Sequence, residues 1–211
     1  MIFKKIYNTH WFQKKWIKRM LKRNSLEYSY SWGDPEKSDD ILGNYLKIKD
    51  DFLLPNIKEK VVLELGCLDG KWSQYILPNA KEAILVDLNK SIIPLLDKRL
   101  KNKNYIFYET KGFELEGIAN NSVDFIFSMD TLVRVKKKFI KKYFIEFERI
   151  MNSNGKLVVH LPCNKSKVSR DRGFTNLSEQ EIMSILKGIG FKNILLDYNT
   201  IVHGVLVLAN V

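Results

Sequence analysis

"VVLELGCLDGKWSQYI", Val61–Ile76, runs from an apolar, strand-like segment through a glycine-bearing loop into a helix-like segment. Loops of this kind often hold a nucleotide, but the spacing here excludes two phosphate-binding motifs. A dinucleotide loop needs glycine at the position of Leu68. A P-loop needs one more residue between Gly66 and Gly70, and a Ser or Thr at the position of Trp72.

The acidic residues around the loop indicate what it holds instead. Glu64 and Asp69 would repel a pyrophosphate, and they suit a ligand with a positive charge, such as an ammonium or sulfonium. Asp87 ends the next strand-like run, 21 residues after Gly66, where an acid accepts hydrogen bonds from both hydroxyls of a ribose. The predicted ligand is a nucleoside with a cationic tail and no phosphate. S-adenosylmethionine fits that description.

Strand-like and helix-like runs alternate along the rest of the chain, which predicts a parallel sheet covered on both faces. The strand-like runs are 61–65, 82–87, 104–109, 123–128, 156–161, 192–197 and 203–209. The helix-like runs are 71–77, 90–101, 137–151 and 178–189. The last two strands have too short a connection for a helix, so they are expected to pair antiparallel.

The predicted fold is therefore α/β. We expect a Rossmann-like, seven-stranded, mostly parallel sheet with an antiparallel final strand and helices on both faces. Residues 1–54 are predicted to form a helical and loop cap segment, and residues 55–211 the core of a single domain.

Four segments of the core, in order, resemble the motifs of class I S-adenosylmethionine-dependent methyltransferases. They are "LELGCLDG", "LVDLN", "SVDFIFSMDTLVRV" and "ERIMNSNGKLVVHLP", and the resemblance covers about residues 55–211. It implies a Rossmann-like fold and methyl transfer from S-adenosylmethionine.

The resemblance also implies a cofactor site, with the glycine loop around the methionine end and Asp87 on the ribose. The implied cofactor-binding residues are Glu64, Gly66, Cys67, Gly70, Asp87, Leu88, Gly112, Phe113 and Ser128. Many relatives carry an aspartate in the loop beside adenine, where this chain has Lys111. Either a backbone carbonyl replaces that acceptor, or the register differs by one residue.

Candidate acceptor-binding residues lie outside these motifs. "YSYSWGDPE" contains Tyr30 and Trp32, and a similar "WGDP" segment precedes the core in bacterial methyltransferases encoded with capsule and lipopolysaccharide genes. The two rings are predicted to form an aromatic wall over the substrate. The alternative is a hydrophobic staple that only holds the amino-terminal segment in place.

Charged residues after the fourth and fifth strands form the second group. Relatives often have a histidine where Arg134 stands, which can act as a general base on a sugar hydroxyl; an arginine stays protonated and would bind an anionic acceptor instead. His160 is the remaining candidate base, and it forms the predicted catalytic pair with Arg134. Asp130, Arg170 and Arg172 are predicted to bind substrate. The structural alternative for His160 is a buried histidine at a strand end, and that for the arginines is a solvated position.

The formal net charge is +11, which reflects lysine-rich composition or attraction to an anionic partner. The favoured function is O-methylation of a glycan precursor, at a sugar hydroxyl or a phosphate-type oxygen. An RNA or protein acceptor is the first alternative, although no nucleic-acid-binding motif is present. A non-catalytic scaffold at the membrane is the second.

Residues 1–23 mix apolar and basic residues, and the apolar residues recur at four-residue spacing, which is an amphipathic helix pattern. This helix is predicted to pack on the domain, with a membrane surface or a dimer contact as alternatives. The two cysteines, Cys67 and Cys163, form no CxxC motif, which favours a reducing compartment and a cytoplasmic protein, with peripheral contact with the inner membrane face as a second interpretation. Metal catalysis is not expected, because the histidines are widely spaced, at His10, His160 and His203.

Overall fold

The computed structural model of the protein describes residues 28–101 and 104–211. Its seven strands form one sheet in the order β3-β2-β1-β4-β5-β7-β6. The strands are β1 (Val61–Leu65), β2 (Glu82–Asp87), β3 (Ile106–Glu109), β4 (Val123–Ser128), β5 (Met151–Leu161), β6 (Lys192–Asp197) and β7 (Val205–Asn210). Only β7 runs antiparallel, against both β5 and β6. The predicted fold class is confirmed.

Helices cover both faces of the sheet. They are α1 (Ser73–Ile76), α2 (Ile93–Leu100), α3 (Lys137–Ile150), α4 (Lys167–Asp171) and α5 (Glu179–Ile189). Before β1 lies a continuous helical stretch, here called the cap helix, made of Tyr45–Lys47, the π-helical Ile48–Leu53 and Leu54–Ile57. One face packs its apolar residues against α3 and α5, and the other against the cap helix and α1. A third cluster lies under α2.

Several boundaries differ from the sequence prediction, and the differences in β5 and α1 have a clear structural cause. Strand β5 begins at Met151 rather than at 156, because Met151 pairs with Val123 of β4 before a shift in register. Helix α1 is shorter than the predicted run 71–77, because Lys71 and Trp72 belong to the turn after the glycine loop.

Of the predicted cap segment, residues 1–54, the structure describes residues 28–54. Residues 1–27 lie outside the described residues, and so does the proposed amphipathic helix with its membrane and dimer alternatives. Within the described ranges, no helix is long and apolar enough to cross a membrane. The boundary predicted at residues 54 and 55 falls inside the cap helix.

The turn after β1 leaves no room for a side chain at its first residue. Gly66 has a φ of 81°, in the left-handed region. A Cβ added there would lie 1.9 Å from Oγ1 of Thr131, which follows β4. Glycine is therefore required at this position by both the backbone conformation and the contact with the neighbouring strand.

Replacing Gly66 by alanine should lower the free energy of unfolding by at least about 2 kcal/mol, from left-handed strain and overpacking together. Gly188→Ala is the matched control, because Gly188 lies exposed in α5 with no atom near the added Cβ. That change should raise stability by about 0.5–1 kcal/mol. Denaturant unfolding of both variants tests this, and equal stability of Gly66→Ala and wild type would contradict it.

Candidate functional site

The glycine loop between β1 and α1 is held in an unusual backbone conformation. Gly66 and Gly70 both have φ near 81°, and Leu68 between them has a φ of 46°. A leucine in the left-handed region is uncommon. Its amide donates to Oδ2 of Asp87, at 3.1 Å, which ties the middle of the loop to the end of β2. The loop thus keeps a glycine-like turn at Leu68 without a glycine.

Hydroxyl groups at the end of β4 and just after it fix the start of the same loop. Ser128 Oγ donates to the carbonyl of Leu65 at 3.0 Å, and Thr131 Oγ1 lies 3.2 Å from the same oxygen. Ser128 is fully buried. Its hydroxyl therefore positions the loop, and a direct contact with the cofactor stays a prediction.

Asp87 presents a buried carboxylate at the carboxyl end of β2. Oδ2 accepts from the Leu68 amide and Oδ1 from the Leu88 amide, at 2.7 Å. Burial raises the pKa of Asp87 to about 6, although these backbone bonds oppose the shift. A backbone hydrogen bond from Asn89 acts in the same direction as these bonds. A carboxylate has about four lone-pair sites, so Asp87 keeps acceptor capacity for a ribose hydroxyl.

Glu64 is a second buried carboxyl beside the loop. It is 2% exposed and accepts a hydrogen bond from Ser73 at the start of α1. Burial raises its pKa to about 8; the Ser73 bond opposes this, Asp69 and Asp87 add to it, and Lys71 opposes it. Glu64 is therefore largely protonated at neutral pH, and a cation placed beside it would favour the ionised form.

Asp69, in contrast, is already paired. Its Oδ2 binds Arg99 of α2 at 2.8 Å, and Arg99 also donates to the Asp69 carbonyl. The sequence argument took Asp69 as a loop acid that suits a cationic ligand. In the structure the Asp69 carboxylate forms an ion pair with Arg99. Of the three acids around the loop, Glu64 and Asp87 therefore remain as partners for a cationic ligand.

The loop beside the predicted adenine position is joined to β2. The Thr110 amide donates to the Asp87 carbonyl at 2.9 Å, and the Gly112 amide to Thr110 Oγ1. Phe113 stacks on Phe139 of α3, with centroids 5.9 Å apart. The side chain at position 111 is an exposed lysine.

Residues 29–33, here called the strap, lie across the glycine loop. The buried ammonium of Lys71 donates to the carbonyls of Ser29, Trp32 and Gly33, at 3.0–3.2 Å. Burial lowers the Lys71 pKa, and the carboxylates of Asp130, Asp69 and Glu64 oppose that shift. The strap therefore depends on a cation from the loop itself.

The two aromatic residues predicted to bind substrate, Tyr30 and Trp32, both belong to the strap but contact different parts of the protein. The Tyr30 hydroxyl accepts from Arg99 at 3.1 Å, and its ring lies under that guanidinium. Tyr30 thus contacts the α2 side of the loop. Trp32 instead lies under the guanidinium of Arg172, 5.2 Å away.

Four side chains from separate parts of the chain meet at the carboxyl ends of β4 and β5. Asp130 Oδ1 lies 3.1 Å from His160 Nδ1 and 2.7 Å from His203 Nε2. Oδ2 accepts from the Tyr45 hydroxyl at 3.1 Å. We call these four residues the Asp130 cluster. Asp130 adopts a left-handed φ of 58° at this position.

The surroundings of Asp130 and His160 determine which of these two groups is charged. Burial acts to raise the pKa of Asp130, but the hydrogen bonds from the two histidines outweigh it and hold the pKa well below its usual range. Burial lowers the pKa of His160, and His203 adds to that shift. The cluster therefore contains one carboxylate and a neutral His160.

Two of the three predicted arginines lie next to this cluster. Arg134 lies over the ring of Phe174 at 5.0 Å, and that ring contacts His203 edge-on. Arg134 also donates to the backbone carbonyl of Arg172 at 3.4 Å. Both guanidinium-bearing residues are exposed.

Arg170 is placed differently from the other two arginines. It lies in α4 and donates to the carbonyl of Asn164, in the loop before that helix. With Asn164, Ser169, Phe174, Thr175 and Asn176 it lines a cavity of about 220 Å³. The three predicted arginines therefore do not surround a single opening.

Residues 63–159 match the family model for a methyltransferase domain. The chain is an S-adenosylmethionine-dependent methyltransferase. No curated protein sequence matches it.

Solved structures share the fold of this methyltransferase at low sequence identity. A methyltransferase from Mesorhizobium loti has a TM-score of 0.66 at 12% identity, covering 79% of this chain and 97% of that one. One from Aquifex aeolicus has a TM-score of 0.62 at 17% identity, covering 92% and 97%. One from Archaeoglobus fulgidus has a TM-score of 0.64 at 13% identity, covering 79% and 93%.

The loop residues of this methyltransferase fit S-adenosylmethionine. Asp87 retains acceptor capacity for the ribose, and Glu64 is a buried carboxyl that a cationic group would ionise. Cys67 is buried and packs under α2, and burial raises its pKa well above the usual value, so it is no nucleophile. Each of these side chains contributes binding or shape.

Sequence reasoning missed Tyr45 and His203. Both are fully buried and belong to the Asp130 cluster. The only available signal was a histidine in the turn before β7 and a tyrosine at the start of an apolar helix. The argument against a metal from histidine spacing also fails, since His160 and His203 meet at one carboxylate; His10 lies outside the described residues.

We expect Asp87→Asn to weaken S-adenosylmethionine binding roughly tenfold to hundredfold, because a hydrogen bond to a charged group contributes about 1.5–3 kcal/mol. Titration calorimetry on the full chain measures this. Glu82→Gln is the matched control, since Glu82 is exposed at the other end of the same strand. Equal affinities for the wild type and Asp87→Asn would place the ribose elsewhere.

Cofactor binding should release a proton from Glu64. The free carboxyl has a pKa of about 8, and the cationic end of the cofactor stabilises the ionised form. Affinity should therefore rise with pH, by up to about tenfold per unit below that pKa. Calorimetry at pH 7 in buffers of different ionisation enthalpy counts the proton. Glu64→Gln should remove this release; a wild type that releases none contradicts the assignment.

Proposed function

We propose that this methyltransferase methylates an oxygen of a surface-polysaccharide precursor, and that the acceptor oxygen is anionic, as in a phosphate or phosphoramidate group. The observation that carries the proposal is the pair of exposed arginines, Arg134 and Arg172, beside the Asp130 cluster. Guanidinium groups bind phosphate oxygens with two parallel hydrogen bonds. Two guanidinium groups close together beside the Asp130 cluster suit a phosphorylated acceptor.

The two arginines are positioned by aromatic rings. Phe174 supports Arg134, and Trp32 of the strap supports Arg172. Cation–π contact holds a guanidinium face-on to the ring and leaves its edge free to donate. The charge of Arg172 also acts on Tyr45, whose hydroxyl binds Asp130. The anionic group of the acceptor would therefore lie between the strap and the Asp130 cluster.

Burial of the histidines argues against a general base. His160 and His203 are fully buried, and Nε2 of His160 faces the backbone of Gly204, where an added Cβ would lie 2.2 Å away. Arg134 stays protonated and cannot take a proton. A neutral sugar hydroxyl needs a base to be a good nucleophile, whereas a phosphate oxygen is already ionised.

Catalysis in this proposal depends mainly on positioning. S-adenosylmethionine supplies a methyl group activated by its positive sulfur. Asp87 and the glycine loop hold the nucleoside, and Arg134 and Arg172 hold the acceptor. Lys71 joins the strap to the glycine loop, and Trp32 of the strap contacts Arg172.

The glycan part of the proposal rests on the "WGDP" resemblance and on the cavity beside Phe174. Its lining combines one aromatic ring with hydrogen-bonding side chains such as Asn164, Thr175 and Asn176. An aromatic face with surrounding amides and hydroxyls suits a sugar ring. The cavity shares Phe174 with Arg134, so the sugar would bind next to the anionic group.

Arg172→Lys and Arg134→Lys should each raise the acceptor KM about fivefold to tenfold while leaving cofactor affinity unchanged, because lysine keeps the charge and loses the fork. Methyl transfer would be measured with glycan precursors before and after phosphatase treatment. Arg149→Lys is the matched control, since Arg149 binds Glu146 and Leu115.

We expect the phosphorylated acceptors to be methylated and the phosphatase-treated ones not. Equal turnover of both forms, with loss of activity in His160→Ala, would remove the anionic acceptor. The sugar-hydroxyl alternative, with His160 as base, would then stand.

A further inference from the structure

The Asp130 cluster has the composition and geometry of a metal site. Asp130 Oδ1, His160 Nδ1 and His203 Nε2 all lie within 4.8 Å of one another. They come from the end of β4, the end of β5 and the turn before β7. Two imidazoles and one carboxylate from three separate elements are a typical ligand set for a divalent transition metal.

Two of the three distances between the ligand atoms already suit a metal ion. The carboxylate oxygen lies 2.7 Å from one ring nitrogen and 3.1 Å from the other. With metal–ligand distances of about 2.0–2.2 Å, neighbouring ligand atoms lie roughly 3 Å apart. The two ring nitrogens lie within 4.8 Å of each other, so rotation of the rings toward each other would place an ion at bonding distance from all three atoms.

Burial prepares the three groups for a cation. Both imidazoles are fully buried, and His160 Nε2 and His203 Nδ1 have no hydrogen-bond partner. These are the nitrogens that carry the proton when a neutral imidazole binds metal through its other nitrogen. The Asp130 carboxylate has a left-handed backbone, and its Oδ1 lies within hydrogen-bonding distance of both rings.

We propose that Asp130, His160 and His203 bind one divalent transition-metal ion, of the zinc, iron or cobalt class. Imidazole ligands favour these ions, whereas magnesium and calcium prefer oxygen ligands. Three protein ligands leave at least one coordination position open. The Tyr45 hydroxyl lies 3.4 Å from His203 Nε2, beside the proposed ligands.

The ion also has a role that rests on the proposed function. The ion would add positive charge behind the surface that carries Arg134 and Arg172, so it would help these guanidinium groups to attract an anionic acceptor. Binding of the ion itself does not depend on the acceptor, and the two can fail separately.

The test uses the full chain, stripped with a chelator and dialysed. Titration with Co²⁺ should produce the visible absorption bands of a nitrogen- and oxygen-ligated ion, saturating near one ion per chain. Calorimetry with Zn²⁺ should give the same stoichiometry. Absence of the thiolate charge-transfer band excludes Cys67 and Cys163 as ligands. A stripped wild type that binds neither Co²⁺ nor Zn²⁺ would overturn the proposal.

Amide variants separate metal binding from simple hydrogen bonding. His160→Asn and His203→Gln keep a neutral N–H near Asp130 but ligate poorly, so both should lose the cobalt spectrum while circular dichroism stays unchanged. His10→Ala, which changes the one histidine outside the proposed site, should keep the cobalt spectrum. Retention of the spectrum in both amide variants would also overturn the site.

The assay for acceptors is read independently. Metal binding together with equal turnover of phosphorylated and phosphatase-treated acceptors would support the site and refute the anionic acceptor. Preference for phosphorylated acceptors in a chain that binds no metal would give the reverse result.

Discussion

One largely buried carboxylate, Asp130, joins the parts of this protein that the sheet alone does not connect. It accepts hydrogen bonds from the cap helix through Tyr45, from β5 through His160 and from the turn before β7 through His203. A buried charge without such partners is strongly destabilising. These hydrogen bonds therefore fix the positions of the cap helix and of the turn before β7 relative to the sheet. The same bonds shape the proposed acceptor side of the site.

The cofactor side depends on a different kind of constraint. There the ends of β1, β2 and β4 meet around the glycine loop, with the Leu65 carbonyl and the Asp87 carboxylate as fixed points. These contacts follow from parallel strands whose carboxyl ends share one edge. Such an arrangement is common to the fold, so it could be predicted from spacing within one motif.

Much of the sheet could be predicted for the same reason. Apolar runs and the short last connection indicated seven strands and one antiparallel pairing, because strand periodicity is a local property. Tyr45 and His203 could not be found this way, since their partners in the cluster lie 85 and 73 residues away in the chain. The pairing of Asp69 with Arg99 was hidden likewise, because nothing local shows which charges meet after folding.

Lys71 gives the amino-terminal strap a place in the folding of the whole domain. Its buried ammonium has the carbonyls of residues 29–33 as acceptors, so opening the strap exposes the cation or leaves it without those bonds. A chain that started at residue 55 would keep every recognisable motif and lose these acceptors. Strap and glycine loop therefore belong to one cooperative unit, whose amides should exchange with solvent through a shared opening.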